Sequence, residues 1–355
     1  MASSAGVIAR AAFGVGAGVL TVAGGCSAVA STGDVPKFSM SGERFDQSSF
    51  LGRWKKMMMN VDPATLAASD GDVRAAVALL ESFEKVTEEN AQDNFDNAAL
   101  WRARQLKESA VHPDTGELVP RPFRMAGYVP FNGPVCVAMM ASTSTPALLF
   151  WNWANQSQNA LVNYFNRNAS SPMSNETMLK SYSGAVLCAM GVAFGLSQAI
   201  KRTCSPSKAT KLLKFVAFPS SVIASSSNCY IVRRPEIAAG VELVDADGNT
   251  VANGARSSIA ARKAVHETVI SRAMLQVPVF FVPAALVSLP PVAAALAGSA
   301  GTAMAVTSFI TCVSFGFGLP ATIAWFPQIG QVNKSDLEPS FADVPCEKLY
   351  YNKGL

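Results

Sequence analysis

Charge is what this chain has least of: of 355 residues only 15% are Asp, Glu, Lys or Arg, against roughly 25% in soluble domains. Histidine occurs twice, at His112 and His266, and there is no HxxxH, HExxH or CxxC, so no metal site is assigned. The seven cysteines, Cys26, Cys136, Cys188, Cys204, Cys229, Cys312 and Cys346, are scattered without close pairing, which excludes a disulfide framework and a zinc spacing. GxSxG, a P-loop GKS or GKT, and paired carboxylates within the uncharged regions are all missing. Neither nucleophile nor general base can then be placed, so no enzyme and no cofactor is expected. The net charge of +4 is mild, and no Lys/Arg cluster with interleaved aromatics occurs, which sets nucleic acid aside.

What is present is long uncharged runs. Met125 to Trp153, Ser181 to Ile200 and Phe215 to Val232 contain no charged side chain, and Ala273 to Asn333 is 61 residues without one. A bilayer crossing takes roughly 17 to 25 helical residues, so the last run should hold two helices, broken at Pro290-Pro291 and the small residues through Gly301. The fold class is an all-α integral membrane protein with about five transmembrane helices, near 125–150, 181–200, 215–232, 269–289 and 302–326. A soluble or interfacial helical head over 41–124 precedes this 125–333 membrane domain, and a tail of 334–355 follows. The uncharged stretch from Ala11 to Gly33 is long enough for a further helix, but its glycines and serines leave it weakly apolar, so residues 1–40 read as a leader or disordered arm. An odd number of spans puts the head and the basic 201–214 loop on one side, and the 233–272 loop with the tail on the other.

Local signals fill in the connections. Phe50, Leu51, Trp54, Met57 and Met58 share a helical face, with Arg53, Lys55 and Lys56 off it, a pattern suited either to a membrane interface beside anionic lipid or to packing on a soluble core. Two surface helices are expected within 71–108. Glu242 to Val251, centred on Asp247-Gly248, predicts a small β-hairpin loop, and Ser257 or Ser258 is placed to cap the helix that follows. Prolines 130, 134, 219, 278, 283 and 320 interrupt four of the five spans.

Three stretches together resemble the sideroflexin family: HPDTGE at His112 to Glu117, PFRMAGYVPF at Pro122 to Phe131, and WNWANQSQNALVNYFNRNA at Trp151 to Ala169. FDQSSFLGRW near Phe45, DPATL at Asp62, IAAR with HET through Thr268, and the terminal YNKGL extend the resemblance over roughly residues 45–355. The ending is similar to that of the serine-transporting branch. The resemblance implies a multi-pass carrier in the mitochondrial inner membrane that passes serine and other small neutral amino acids, supporting one-carbon metabolism. The alternatives are a non-transporting membrane scaffold and a carrier linked to iron or haem metabolism. The sequons Asn155-Gln-Ser, Asn168-Ala-Ser and Asn175-Glu-Thr are expected to stay unglycosylated in a mitochondrion.

Beside that resemblance, the residues offer two candidate sites. Asn152, Asn155, Asn159, Asn163 and Asn166 recur at spacings of three and four, one amide stripe along a helix. Each amide offers two donors and an acceptor, so Asn155, Asn159, Asn163 and Asn166 could replace water around a zwitterion without adding net charge, with Arg167 holding the carboxylate. A solvated face or interhelical contact is the competing reading. His112, Asp114, Thr115, Gly116 and Glu117 form either a rigid turn or a gate whose histidine responds near neutral pH.

Overall fold

The structure is a computed structural model that describes residues 4–86, 94–113, 115–142, 144–166, 175–246, 248–327 and 329–353. Asp114, Arg167, Asn168, Asp247 and the final Gly354-Leu355 lie outside the described residues.

The first correction comes at the start. Ser4–Ala30 is a continuous helix, α1, not a disordered arm. It runs parallel to the last long helix of the chain, Ala300–Trp325. Gly14 lies against Ala305, Gly18 against Cys312 and Val22 against Gly316, so close that a Cβ on Gly14 would sit 2.1 Å from the Ala305 carbonyl oxygen. Glycines spaced four apart leave a flat stripe on which a second backbone can settle, the packing that lipid, offering no hydrophobic drive between helices, favours.

In the head, α2 (Phe50–Asn60), α3 (Asp70–Lys85) and α4 (Asn97–Ala110) follow. Ser69 caps α3 in a reciprocal box with Asp72, which satisfies donors the helix cannot. Phe38, Leu80, Phe83, Leu100 and Trp101 make the head's own core, and Met58 and Met59 pack on Val22, Cys26 and Val29 of α1. Arg53 donates from Nε to Ala324 O at 2.8 Å, satisfying a carbonyl at the C-terminal end of the last helix. Lys56 pairs with Glu43, and Lys55 lies over the Phe45 ring at 5.8 Å.

The expected span near 125–150 is not one helix. A π-helical turn at Tyr128–Asn132 leads into α5 (Gly133–Ala141), and α6 (Thr145–Phe165) starts afresh. Ser144 accepts from the Ala147 N–H at 3.4 Å and Pro146 sits in the first turn, so the Ser-Thr-Pro run starts a new helix where a continuous one was expected. At 1.5 Å per residue the nine residues of α5 cover about 14 Å, half of a hydrocarbon core about 30 Å thick. Chain direction then reverses: Lys201 donates to Thr145 at one end of α6, and Phe165 stacks on Phe123 at the other, centroids 4.8 Å apart.

The remaining helices are α7 (Asn175–Thr203), α8 (Pro206–Leu213), α9 (Ala217–Ala239), α10 (Ser258–Met274), α11 (Val282–Ser288), α12 (Pro290–Leu296) and α13 (Ala300–Trp325). A second π turn, Val277–Phe281, joins α10 to α11. Among the described residues five stretches are long and apolar enough to cross a membrane: Gly6–Ala30, Leu179–Thr203, Pro206–Ala239, Ser258–Ser288 and Ala300–Trp325. The expected total of five stands, with α1 in the place of 125–150. Ser257 is the cap of α10. The buried centre of the bundle holds Val129, Cys136, Met139, Leu148, Ala217, Phe280, Cys312 and Phe315.

Four short strands complete the described residues. β1 (Val241–Glu242) pairs antiparallel with β2 (Arg256–Ser257), and β3 (Ile329–Asn333) with β4 (Lys348–Asn352). The expected hairpin loop is seen as the Val244–Thr250 bridge, with Gly248 at φ +87°. Val244 also bridges Tyr350, and Leu243, Ala264, Phe341, Leu349 and Tyr351 share a core. The tail and the 240–257 loop are therefore one unit. Because Arg53 and Phe50 dock on Ala324 and Trp325, the head sits at that same end of the bundle. The sided arrangement expected from an odd number of spans after the head does not hold: α1 adds a crossing before it, and the α5–α6 hairpin returns to where it began.

Candidate functional site

The amide stripe lies on α6, and the fold treats its members differently. Asn152 is fully buried, donating to Leu148 O at 2.8 Å and accepting from Ser220 Oγ of α9 at 3.2 Å. Ser157, a turn and a half further on, is 2.8 Å from the Tyr182 hydroxyl of α7. Between these two ties stand Asn155 and Gln156, both buried, neither with a side-chain hydrogen bond among the described residues. Asn159 and Asn163 are exposed. Asn166 ends the helix, its Nδ2 donating to Phe123 O and Val162 O, both at 2.8 Å, and Gln158 reaches Pro122 O at 2.9 Å. The stripe is thus one polar face whose first half enters the bundle and whose last residues fasten the hairpin to the head.

A separate set of polar atoms, none of them from Asn155 or Gln156, is fully enclosed without a partner among the described residues and includes Asn132 Oδ1, the hydroxyls of Ser181 and Ser197 on α7, those of Ser221 and Ser226 on α9 with Asn228 Oδ1, and Ser308 Oγ on α13. Ser221 is adjacent to the Ser220 tie and Ser181 to the Tyr182 tie. An unpaired buried hydroxyl or amide costs roughly 1 to 3 kcal/mol, so each of these groups is a place where a polar partner would be stabilising; Ser308 packs on Gly14 of α1. None of these groups is charged. Gln156 was not singled out in the sequence. It lies four residues from Asn152, on the same face, and that spacing was the available signal.

The two π turns dock on one stretch of α13. The Tyr128 hydroxyl donates to Gly316 O at 3.1 Å, and Ser314 Oγ donates to Pro278 O at 2.6 Å. A Cβ on Gly318 would lie 2.3 Å from Pro278 Cβ. Proline removes a backbone donor and frees a carbonyl, and π turns recur at functional sites.

The HPDTGE segment is a tight turn. Val111 bridges Leu118, the His112 N–H donates to Glu117 O at 2.8 Å, the Gly116 N–H donates to His112 O at 2.9 Å, and Gly116 takes φ +70°. His112 is buried and its Nδ1 accepts from the Thr115 N–H at 3.3 Å. Thr115 Oγ1 accepts from the Glu117 N–H. This geometry is a tight turn between α4 and the Leu118–Arg124 segment that leads into the bundle. Among the described residues no group of three His, Cys, Asp or Glu is arranged to hold a metal ion.

Comparison with known proteins gives a consistent result. A sequence profile described as Sideroflexins matches residues 39–355. Sideroflexin-5 of Homo sapiens is 37% identical over 326 residues, 91% of this chain and 94% of that protein. Sideroflexin-5 of Caenorhabditis elegans is 36% identical over 90% of this chain and 96% of its own length. Sideroflexin-1 of Ovis aries is 30% identical over 90% and 98% respectively. No solved structure matches the chain.

Proposed function

Because the chain belongs to the sideroflexin family, we propose that it is a multi-pass carrier of the mitochondrial inner membrane that passes serine and other small neutral amino acids, in support of one-carbon metabolism. The observation that carries this reading is the pair Asn155 and Gln156, buried and unpartnered between the Asn152–Ser220 and Ser157–Tyr182 ties. A zwitterion has no net charge, but its carboxylate, ammonium and hydroxyl must each exchange water for another partner. Amides and hydroxyls supply both donors and acceptors without a fixed charge that would trap the solute. The uncharged buried polar atoms of α7 and α9 extend the same chemistry along the bundle. Of the stripe, Asn155 carries the substrate reading best; Asn159, Asn163 and Asn166 continue it toward the head, and neither a catalytic step nor a cofactor is required.

Uptake of labelled serine into liposomes containing the purified protein tests the reading, with alanine and a dicarboxylate as competitors. Saturable uptake inhibited by alanine and indifferent to the dicarboxylate supports it; no uptake by correctly inserted protein overturns it. The mitochondrial placement is tested separately by treating the native protein with glycosidase, where a mobility shift contradicts it.

A further inference from the structure

Where the head joins the bundle, Leu118 to Arg124 passes the start of α3 and leaves an open cleft of about 500 Å³ lined by Asp70, Leu118, Val119, Pro120, Arg121 and Arg124. Arg124 is 3% exposed. Its Nε donates to Val119 O at 2.7 Å, but Nη1 is buried with no hydrogen-bond partner among the described residues. A guanidinium stays charged and presents its donors as a rigid fork. A buried Nη1 with nothing to donate to therefore marks where acceptor oxygens belong. Arg121 lines the same cleft with an exposed side chain whose Nη2 reaches Ala68 O at 3.1 Å. Burial and the Arg121 charge push the Arg124 pKa below the ordinary arginine value, and Asp70 opposes them, so the three charges feel one another. Two guanidinium groups against one carboxylate leave a surplus of one positive charge in the cleft.

We propose that this cleft binds an oxyanion, a carboxylate or phosphate group of a small solute or of a lipid headgroup, held by the Arg124 guanidinium with Arg121 beside it. Planar guanidinium matches both groups geometrically, and the single surplus charge suits one singly charged group. The proposal stands apart from what crosses the bundle, since no residue of the cleft belongs to the buried amide face.

The test uses the purified full-length protein in detergent. Its melting temperature is followed while inorganic phosphate is titrated against sodium chloride of matched ionic strength, and separately while phosphatidylglycerol or phosphatidylcholine is added to the micelles. A saturable rise with phosphate assigns the site to a solute, and a rise with phosphatidylglycerol alone assigns it to lipid. Arg121→Gln, whose exposed side chain leaves the fold intact, should weaken binding of the active probe about tenfold by removing a charge-assisted contact. Asp70→Asn should tighten it, because an opposing charge is gone. Arg124→Gln should abolish the response, and it is read alongside the other two because it also loses the Val119 contact. No rise above the chloride and phosphatidylcholine controls, or equal rises in wild type, Arg121→Gln and Asp70→Asn, overturns the proposal.

Discussion

Lys353 Nζ lies 2.8 Å from Glu267 Oε2, joining the terminal YNKGL to the HET segment of α10 across 86 residues of sequence. The lysine side chain is 8% exposed and the glutamate 29%. Thr268, next to Glu267, accepts from Arg233 Nη1 at 2.6 Å, donates to Ala264 O at 2.8 Å and lies 3.4 Å from Lys353 O. The end of the chain is thus fastened to α10, and through Arg233 to α9.

Breaking this pair from one side should cost more than removing both charges. Lys353→Met leaves a half-buried carboxylate unpaired and should lower stability by about 1 to 3 kcal/mol. Lys353→Met with Glu267→Gln should recover part of that loss. Thermal melts of the two single variants and the double variant in detergent decide it, and additive losses would show that the pair is not coupled.

Glu338 gives a pH-dependent contact. Burial alone would raise its pKa, but hydrogen bonds from the Ser257 hydroxyl, the Ile259 N–H and the Ser258 hydroxyl hold it at about 2. An unfolded Glu titrates near about 4.3. The folded value is the lower one, so the carboxylate stabilises the fold fully above the unfolded pKa and the contribution fades as pH falls toward the folded pKa. Glu338→Gln should therefore melt below wild type at neutral pH, with the two curves converging as the pH is lowered from about 5 toward 2. A difference that is constant with pH would rule this cause out.

The amide face separates binding from packing. Asn155→Ala should reduce serine uptake a few-fold to about tenfold, the worth of one lost hydrogen bond of roughly 0.5 to 1.5 kcal/mol, while thermal stability stays near wild type because Asn155 has no protein partner. Asn152→Ala should do the reverse, since it removes the α6–α9 tie, leaving Ser220 Oγ only the Val216 and Ala217 carbonyls of its own helix, and loses the Leu148 contact. Asn159→Ala and Asn163→Ala, both at exposed positions, should show smaller uptake effects than Asn155→Ala. Uptake and melting temperature measured on the same preparations distinguish these outcomes; normal uptake by Asn155→Ala removes it from the path.

The α1–α13 contact makes a steric prediction. A leucine at Gly14 or Gly18 would drive a side chain into Ala305 or Cys312, and overpacking of this kind costs about 1 to 3 kcal/mol. Either variant should melt earlier and expose the N-terminal helix to protease, whereas Gly16→Leu, which meets nothing within 4 Å, should behave as wild type.

The long uncharged runs were legible because the missing charges are a local property of each segment: α7, α9, the α10–α11 rod and α13 all fall where those runs predict. The cap at Ser257 and the break at Pro290 are local too. Residues 4–30 were misread for a physical reason. Their glycines lower apolarity, but Gly14-x-x-x-Gly18 is also the pattern that lets helices touch, and only the partner, α13, distinguishes the two meanings. The restart of the helix at Thr145 was written in Ser144 and Pro146 and was outweighed by the uncharged window around them. Spacing revealed the amide stripe. Which amides are buried depends on Ser220 and Tyr182, residues that sequence spacing does not connect to α6. The tail hairpin escaped notice because Leu349 and Tyr351 bury against Val332 and Leu243, contacts that no short window contains.

The parallel seat of α1 on α13 also has a consequence in time. Arg10 and Thr302, a hydrogen-bonded pair of that contact, are 292 residues apart in sequence, so α1 is synthesised long before α13 arrives to cover its glycine stripe. Such a closure belongs late in assembly, after the intervening helices have found one another. Until then neither the smooth side of α1 nor the face of α13 that carries Ser308, Cys312 and Gly316 has its cover. A chain trimmed of its first thirty residues before synthesis ends would arrive at that step with its final docking surface already missing.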